Sequence, residues 1–456
     1  MTAPAGHGKT EVIAASVAAH PELRFLVLTH TNAGVAAIRR RLSRFGVTSN
    51  ARVETLSSLA LRLVRAFPTG IGWAEDPKSI NHKKALVSAQ VVLGRPTVLT
   101  AFSSSYDRII IDEYQDCTGR QHNLVCRLAS TTTTVVLGDP LQAIFNIDRS
   151  DPLVNWDEVT GRFPVRGHLH TPHRWSSTTP ALGRWLRDIR DPLELGLIPV
   201  RLDSDVVTIY NLERPPSQGS LVSLIAPGES TVIIAGNSAT PMTISNIAKA
   251  HASRGVYEHE TVDQHAALKV ADQLTSATSD ARRVLDLLEF LKNAATGIGK
   301  IQGCSSILKN LEADGSVGRS KAPLAHAVTE FLASPTPMNL DSVLCVCRFD
   351  SDVYAYKRTQ LSLLSRGLKQ SGADWQLLPE TLRSLIDQTS HSKRPQENVR
   401  EVGSTLRVKG LEYDHVILVD PKSIPSVQHL YVALSRATRR ITIALGPGET
   451  LGRLIS

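Results

Sequence analysis

The first residues able to do chemistry are Gly6-His7-Gly8-Lys9-Thr10, within the opening stretch MTAPAGHGKTE. Glycines at such a turn let backbone N–H groups approach a phosphate. Lys9 would reach the β and γ phosphates, and the Thr10 hydroxyl would hold Mg²⁺. Ala5, Gly6, His7, Gly8, Lys9, Thr10 and Glu11 are therefore the candidate nucleotide cradle. Ala3 stands where the phosphate-loop pattern has its first glycine, so the consensus is missed by one residue. A second candidate is RIIIDEYQD (108–116), an apolar run ending in Asp112-Glu113. One of these acids would hold Mg²⁺ and the other polarise the attacking water. In VVLGDPLQAIF (135–145) another apolar run breaks at Gly138-Asp139 and places Gln142 just beyond. A glutamine there can orient the water or report the γ-phosphate. HLYVALSRATRR (429–440) presents Arg436 as a candidate arginine finger, whose guanidinium would neutralise charge on the transferred phosphoryl group. Each motif has a plain counterpart: a glycine-rich helix cap, acids in a turn, a glutamine after a Pro turn, a solvated helix end. Together they point to nucleoside triphosphate hydrolysis.

These residues need a frame. FLVLTH (25–30), RIIIDEY (108–114) and TVVLGD (134–139) are short, β-branched or aliphatic runs, and read as buried strands of a parallel sheet. VAAIRRRLSRFG (35–46) has helical spacing and ends on glycine, as a crossover helix would. The stretch 150–220 reads as loop-dominated. TVIIAG (231–236), HVILVD (415–420) and RITIAL (440–445) read as strands of a second α/β domain. A mainly helical insertion separates them, with RRVLDLLEFLKNA (282–294) its clearest helix, and DQTSHSKRPQENVRE (387–401) reads as a polar connector. The expected organisation is a first α/β domain over 1–175, with a short insertion at 64–105. The second domain would start over 176–250, carry the insertion over 251–400 and finish over 401–456.

Composition narrows the class. With 42% hydrophobic and 21% charged residues the chain reads as globular. No apolar run approaches the ~20 residues of a membrane span. The formal charge of +8 suits a polyanionic partner. Five scattered cysteines make no disulfide framework, and a reducing cytoplasm is expected. Cys345 and Cys347 fall in an apolar run and read as strand residues, not zinc ligands.

In order and spacing the motifs resemble the superfamily 1 helicases of the UvrD/Rep type. PAGHGKT resembles motif I, LTHTNAGVAAIRRRL (28–42) the TFTNKAA motif, and VETLSSLALRLV (53–64) the next DNA-contact motif. DEYQD resembles motif II, GDPLQAIF motif III, HRWSS (173–177) the N-Y-R-S motif, VKGLEYD motif V and YVALSRA motif VI. The resemblance implies two RecA-like P-loop domains with ATP and Mg²⁺ in the cleft between them. The first would supply Lys9, Thr10, Asp112, Glu113 and Gln142. The second would supply Arg436, and Glu412 against the nucleotide sugar. Arg174 would be a second γ-phosphate arginine near the crossover. It implies a single-strand track over Thr29, His30, Thr31, Asn32, Thr55, Ser57, Phe145 and Lys409, and 3′-to-5′ stepping on single-stranded or tailed DNA.

The sequence departs from that family in four places. Only Met1 and Thr2 precede Ala3, so the adenine-reading segment and first strand are missing. A central sheet position would then stand open, and the expectation is a start further upstream or a partner completing the edge. His30 replaces the usual aromatic, Asn146 and Ile147 stand where a base-stacking aromatic is usual, and Leu406 takes the motif V histidine position. All four concern the nucleic-acid track or base recognition. A second reading is an ATPase subunit that senses nucleotide or DNA ends and switches a partner nuclease. In size and layout the chain resembles the helicase component of anti-phage systems such as Gabija.

Overall fold

The computed structural model describes residues 1–47, 49–69, 81–146, 148–196, 206–235, 241–259, 264–389 and 399–447. The chain forms two compact units, Met1–Leu202 with Ser426–Arg439, and Asp203–Pro425 with Arg440–Ser456. The sequence boundaries at 175, 250 and 400 therefore differ from the contact boundaries at 202, 425 and 439. In particular, the segment bearing Arg436, expected on the second domain, groups with the first unit.

The first unit is built on β1 (Phe25–Thr29), β2 (Ala51–Thr55), β3 (Arg108–Ile111) and β4 (Thr133–Val136), in the order β2-β1-β3-β4 and parallel throughout. Side chains alternate across a strand, so each apolar run serves two cores. Leu26, Leu28, Ile109 and Ile111 pack with Leu56, Leu59 and Leu124. Val27 and Ile110 pack on the other face with Ile13, Val17 and Ile38. Beyond β4, Thr2 bridges in parallel to Gly138 and to His168. The Ala3 N–H donates to the Gly138 carbonyl at 3.0 Å. At the position the sequence leaves without a full strand, residues 1–3 thus make the contacts of a very short one.

Three helices follow from local signals. α1 (Lys9–Ala18) starts after Gly8, at φ 86. α2 (Asn32–Arg44) is capped by Thr31, which accepts from the Gly34 N–H at 3.0 Å. α3 (Leu56–Ala66) is capped by Thr55, which accepts from the Ser58 N–H at 3.0 Å. Within 150–220, read as loop, the chain also forms short helices Trp156–Arg162, Pro180–Asp188 and Arg190–Glu194. Trp156–Arg162 and Arg190–Glu194 bury only one and two residues, whereas Pro180–Asp188 buries Leu182, Gly183, Trp185 and Leu186 at helical spacing.

The second sheet consists of β5 (Val207–Asn211), β6 (Thr231–Ala235), β7 (Tyr257–Glu258), β10 (Arg400–Gly403), β11 (Tyr413–Val419) and β12 (Ala437–Leu445), the last belonging to the second unit from Arg440 onward. Their order is β5-β12-β11-β6-β10-β7. Two short strands between β7 and β10, β8 (Ala295–Thr296) and β9 (Tyr354–Ala355), form a separate antiparallel pair. Among the described residues of that stretch the remaining elements are helices, with a core of their own that includes Leu287, Leu288, Leu291, Phe331, Leu344 and Leu364. Cys345 and Cys347 lie on the helix Pro337–Arg348, correcting the strand reading. Leu340, Val343, Leu344 and Cys347 share its buried face at helical spacing, and the single-residue gap between the cysteines concealed that period. Among the described residues no single helix is long and apolar enough to cross a membrane. The polar connector 387–401 lies largely outside the described residues.

Leu288 is fully buried in the helical core. Leu288→Ala is expected to destabilise this unit by about 2–5 kcal/mol, read as a fall in the urea midpoint.

Candidate nucleotide site

The phosphate loop is shaped by what lies behind it. Gly6 sits at φ 69, and a Cβ there would come within 2.6 Å of the Trp175 ring. Only glycine fits both the left-handed backbone and that approach. Trp175 is in turn held by its indole N–H, which donates to the Ala437 carbonyl at 2.7 Å. The Arg174 backbone N–H donates to the Gly6 carbonyl at 3.0 Å. Within the loop, His7 Nδ1 lies 2.7 Å from the Ala5 carbonyl. His7 Nε2 is buried and has no hydrogen-bond partner. Burial lowers the His7 pKa below its ordinary 6.5, so the imidazole stays neutral at physiological pH.

Lys9 is buried, and its ammonium donates to the Ala3 carbonyl at 3.1 Å. It also lies 3.6 Å from Glu113 Oε1. Asp112 and Glu113 follow the end of β3, as the sequence implies. Burial, then the neighbouring Glu113 charge, raises the Asp112 pKa to about 7, while Lys9 opposes the shift. Glu113 has φ 54, a left-handed conformation that costs a non-glycine residue of order 1–3 kcal/mol. Its position is held by several contacts. Its N–H donates to Asp112 Oδ1 at 2.9 Å, and its carboxylate accepts from the Gln115 amide and faces Lys9.

The buried Asp112 carboxyl and the Thr10 hydroxyl, in the first turn of α1, offer the oxygen donors that a magnesium ion takes. Such a site needs few protein ligands. Among the described residues there is no cluster of three or more His, Cys, Asp or Glu that would suit a fully protein-ligated metal. Asp112 and Thr10 are the residues that would hold the ion. Glu11, also in the candidate cradle, pairs with Arg41.

Gln142 ends a single helical turn, Pro140–Gln142, and is buried. Its amide donates to Asp139 Oδ2 at 2.8 Å. Its carbonyl oxygen accepts from Arg436 Nη2 at 3.4 Å. Arg436 lies just past the helix Val427–Leu434 and is almost wholly buried. Its guanidinium also donates to the Val432 carbonyl at 3.0 Å and to Ser435 Oγ at 2.9 Å. Arg174 is half-buried and donates to the Ser435 carbonyl at 2.7 Å. The first unit therefore gathers Lys9, Asp112, Glu113, Gln142, Arg174 and Arg436.

The sequence reading missed the centre of this arrangement. Asp139 is completely buried and accepts from the Ala5 N–H at 3.2 Å, the Leu141 N–H at 3.2 Å and the Gln142 amide. Arg190 grips the same carboxylate with both terminal nitrogens, at 3.1 and 2.8 Å. Its guanidinium also stacks on the Tyr431 ring, 4.9 Å from the centroid. In sequence Arg190 belongs to RDIRDPLE, indistinguishable from a solvated charged turn. No local signal marks it.

The remaining candidates take varied positions. Thr29 is buried at the end of β1, and His30 Nε2 lies 3.5 Å from Cys117 Sγ. Thr31 and Thr55 cap helices, Asn32 is exposed, and Ser57 and Phe145 are half-buried. Asn146 is exposed, and Ile147 lies outside the described residues. In the second unit, Lys409 is half-buried, Glu412 is exposed, and Leu406 is half-buried.

Residues 76–154 match the family model described as the UvrD/REP helicase N-terminal domain. That stretch contains Asp112, Glu113 and Gln142. The matched stretch is less than a fifth of the chain. No curated protein matches the sequence. Among solved structures, the chain is similar to an Arterivirus nonstructural protein 10 helicase in complex with DNA, at 9% identity and a TM-score of 0.38. The alignment covers 100% of this chain and 61% of that one, and a likeness at this level carries no weight.

Removing one partner of a buried ion pair leaves an uncompensated charge. Arg190→Gln is expected to lower the stability of the first unit by about 3–5 kcal/mol, measured by urea unfolding followed through tryptophan fluorescence. Adding Asp139→Asn should restore part of the loss. A loss below about 1 kcal/mol would show that Asp139 does not depend on this arginine.

Proposed function

We propose that the chain is an ATP-dependent single-stranded DNA translocase or helicase, stepping 3′ to 5′. The observation that carries this reading is the convergence of Lys9, Asp112, Glu113, Gln142, Arg174 and Arg436 in one compact unit. That set holds each charge type phosphoryl transfer needs.

Lys9 would pair with the β and γ phosphates, in exchange for its contacts to Ala3 and Glu113. Glu113 would then be released to accept the proton of the attacking water, positioned by the Gln142 amide. Magnesium would supply neutralising charge on the phosphate oxygens, held by Asp112 and Thr10. Arg436 and Arg174 would balance charge developing at the transferred group. Arg436 immediately precedes Ala437, the first residue of β12, which continues into the sheet of the second unit. A change in what Arg436 binds would therefore pull directly on a core strand, a short path from hydrolysis to movement. In this reading Glu412 would contact the nucleotide sugar. Thr29, His30, Thr31, Asn32, Thr55, Ser57, Phe145 and Lys409 would line the strand track.

Turnover measured with and without single-stranded DNA tests the proposal. Stimulation of many-fold is expected, together with displacement of a 3′-tailed duplex. ATP hydrolysis indifferent to DNA would refute the motor reading and favour a subunit that acts through a partner. Lys9→Ala is expected to abolish turnover. Glu113→Gln should abolish it while retaining ATP binding by fluorescence titration, and normal turnover in that variant would remove Glu113 from the chemistry. Arg436→Ala is expected to slow turnover by about 10³-fold or more.

A further inference from the structure

The second unit carries a cleft outside every motif considered above. It encloses about 420 Å³ and is lined by Ser253, Gly255, Arg348, Phe349, Tyr354 and Arg358, among others. Its volume lies in the range of about 300–1,000 Å³ typical of small-ligand sites.

Phe349 is 77% exposed, more than any other large apolar side chain among the described residues. Tyr354 is 39% exposed. Both sit on the segment joining the helix Pro337–Arg348 to the helix Arg358–Ser371. That segment is held rigidly. β9 pairs with β8, and Gly297 lies against it so closely that a Cβ would be 1.9 Å from the Asp352 carbonyl oxygen. The exposed ring is thus presented by a fixed scaffold.

Two arginines, Arg348 and Arg358, line the cleft. The Arg348 guanidinium lies 5.7 Å from the Phe349 ring centroid, and Arg358 stacks over Tyr257 at 4.5 Å. Arg358 and Arg400 converge on one turn, donating to the Gly255 carbonyl at 3.2 Å and to the Arg254 carbonyl at 2.8 Å. The Arg400 Nε is buried without a hydrogen-bond partner. Among the described residues, none of Arg254, Arg348, Arg358 and Arg400 makes an ion pair with a carboxylate. Asp350 and Asp352 share the Phe349 segment, and Asp350 is occupied with the Asp352 N–H at 3.0 Å. Arg348 and Arg358 both line the cleft, and neither is paired with a carboxylate among the described residues. Exposed aromatic rings beside them add a face for unpaired bases.

We propose that this cleft is an auxiliary single-stranded nucleic-acid site, with phosphates held by Arg348 and Arg358 and a base stacked on Phe349. The inference rests on the chain being a nucleic-acid-binding ATPase, and its test separates the two. Fluorescence anisotropy of a labelled oligothymidylate would be measured with the full chain, Phe349→Ala and Arg348→Gln/Arg358→Gln. Phe349→Ala is expected to weaken binding by about tenfold, within the range one stacked base contributes. The double arginine variant should flatten the slope of log affinity against log salt by about 1.4, for two phosphate contacts on a single strand. Turnover without nucleic acid should be unchanged in both. Ultraviolet cross-linking should attach the oligonucleotide within 349–354. Wild-type binding with both variants unaffected would overturn the cleft and leave the proposed function standing. Equal protection of a blunt duplex, with no loss in Phe349→Ala, would also overturn it. Failure of the wild-type chain to bind any nucleic acid would overturn both.

Discussion

A carboxylate with no exposure to water has to be matched in place, and Asp139 is matched from four directions. It accepts from the phosphate loop through the Ala5 N–H, from Gln142 through its amide, from its own turn through the Leu141 N–H, and from both ends of the Arg190 guanidinium. Removing any strong partner leaves charge in a poorly solvated place, so these segments are constrained to move together. Arg190 extends the constraint to Tyr431, on the helix preceding Arg436. Segments separated by some three hundred residues of chain are thereby held around one small charge.

The same logic accounts for the tension at the acidic pair. Asp112 is buried next to Glu113, which is held in a left-handed conformation, and Lys9 offsets the repulsion only in part. Lys9 and Arg436 are each satisfied internally, by the Ala3 carbonyl and by Gln142, Val432 and Ser435. An incoming triphosphate would exchange these contacts, and the Lys9 contact to Glu113, for contacts to phosphate. In the proposed reading, that exchange is what makes the site responsive to phosphate, and β12 begins one residue from where it occurs.

The net charge of +8 belongs to the first unit, which holds 26 basic and 17 acidic residues, against 25 and 26 in the second. Part of the basic surface is neutralised locally, as in the pairs Arg62–Glu54, Arg24–Asp107 and Arg440–Glu229. Arg348 and Arg358 instead line the cleft beside Phe349, a local grouping that a sum of charges does not show.

Much of the architecture was written in local patterns. Runs such as FLVLT and RIII read as buried strands, because their length and branching suit a two-faced sheet, and Thr31 and Thr55 cap helix starts with their side chains. Lys9, Asp112, Glu113, Gln142 and Arg436 are candidates from sequence because the chemistry demands particular atoms at loop and strand ends. The helical period through Cys345 and Cys347 was misread, because a short apolar stretch fits both regular structures until packing chooses. What tertiary structure alone decided was partnership across long separations: Arg190 with Asp139, Trp175 with Ala437, Arg436 grouped with the first unit, and the arginines gathered around Phe349. Spacing along a chain encodes local geometry, whereas burial and charge pairing depend on which distant segments meet.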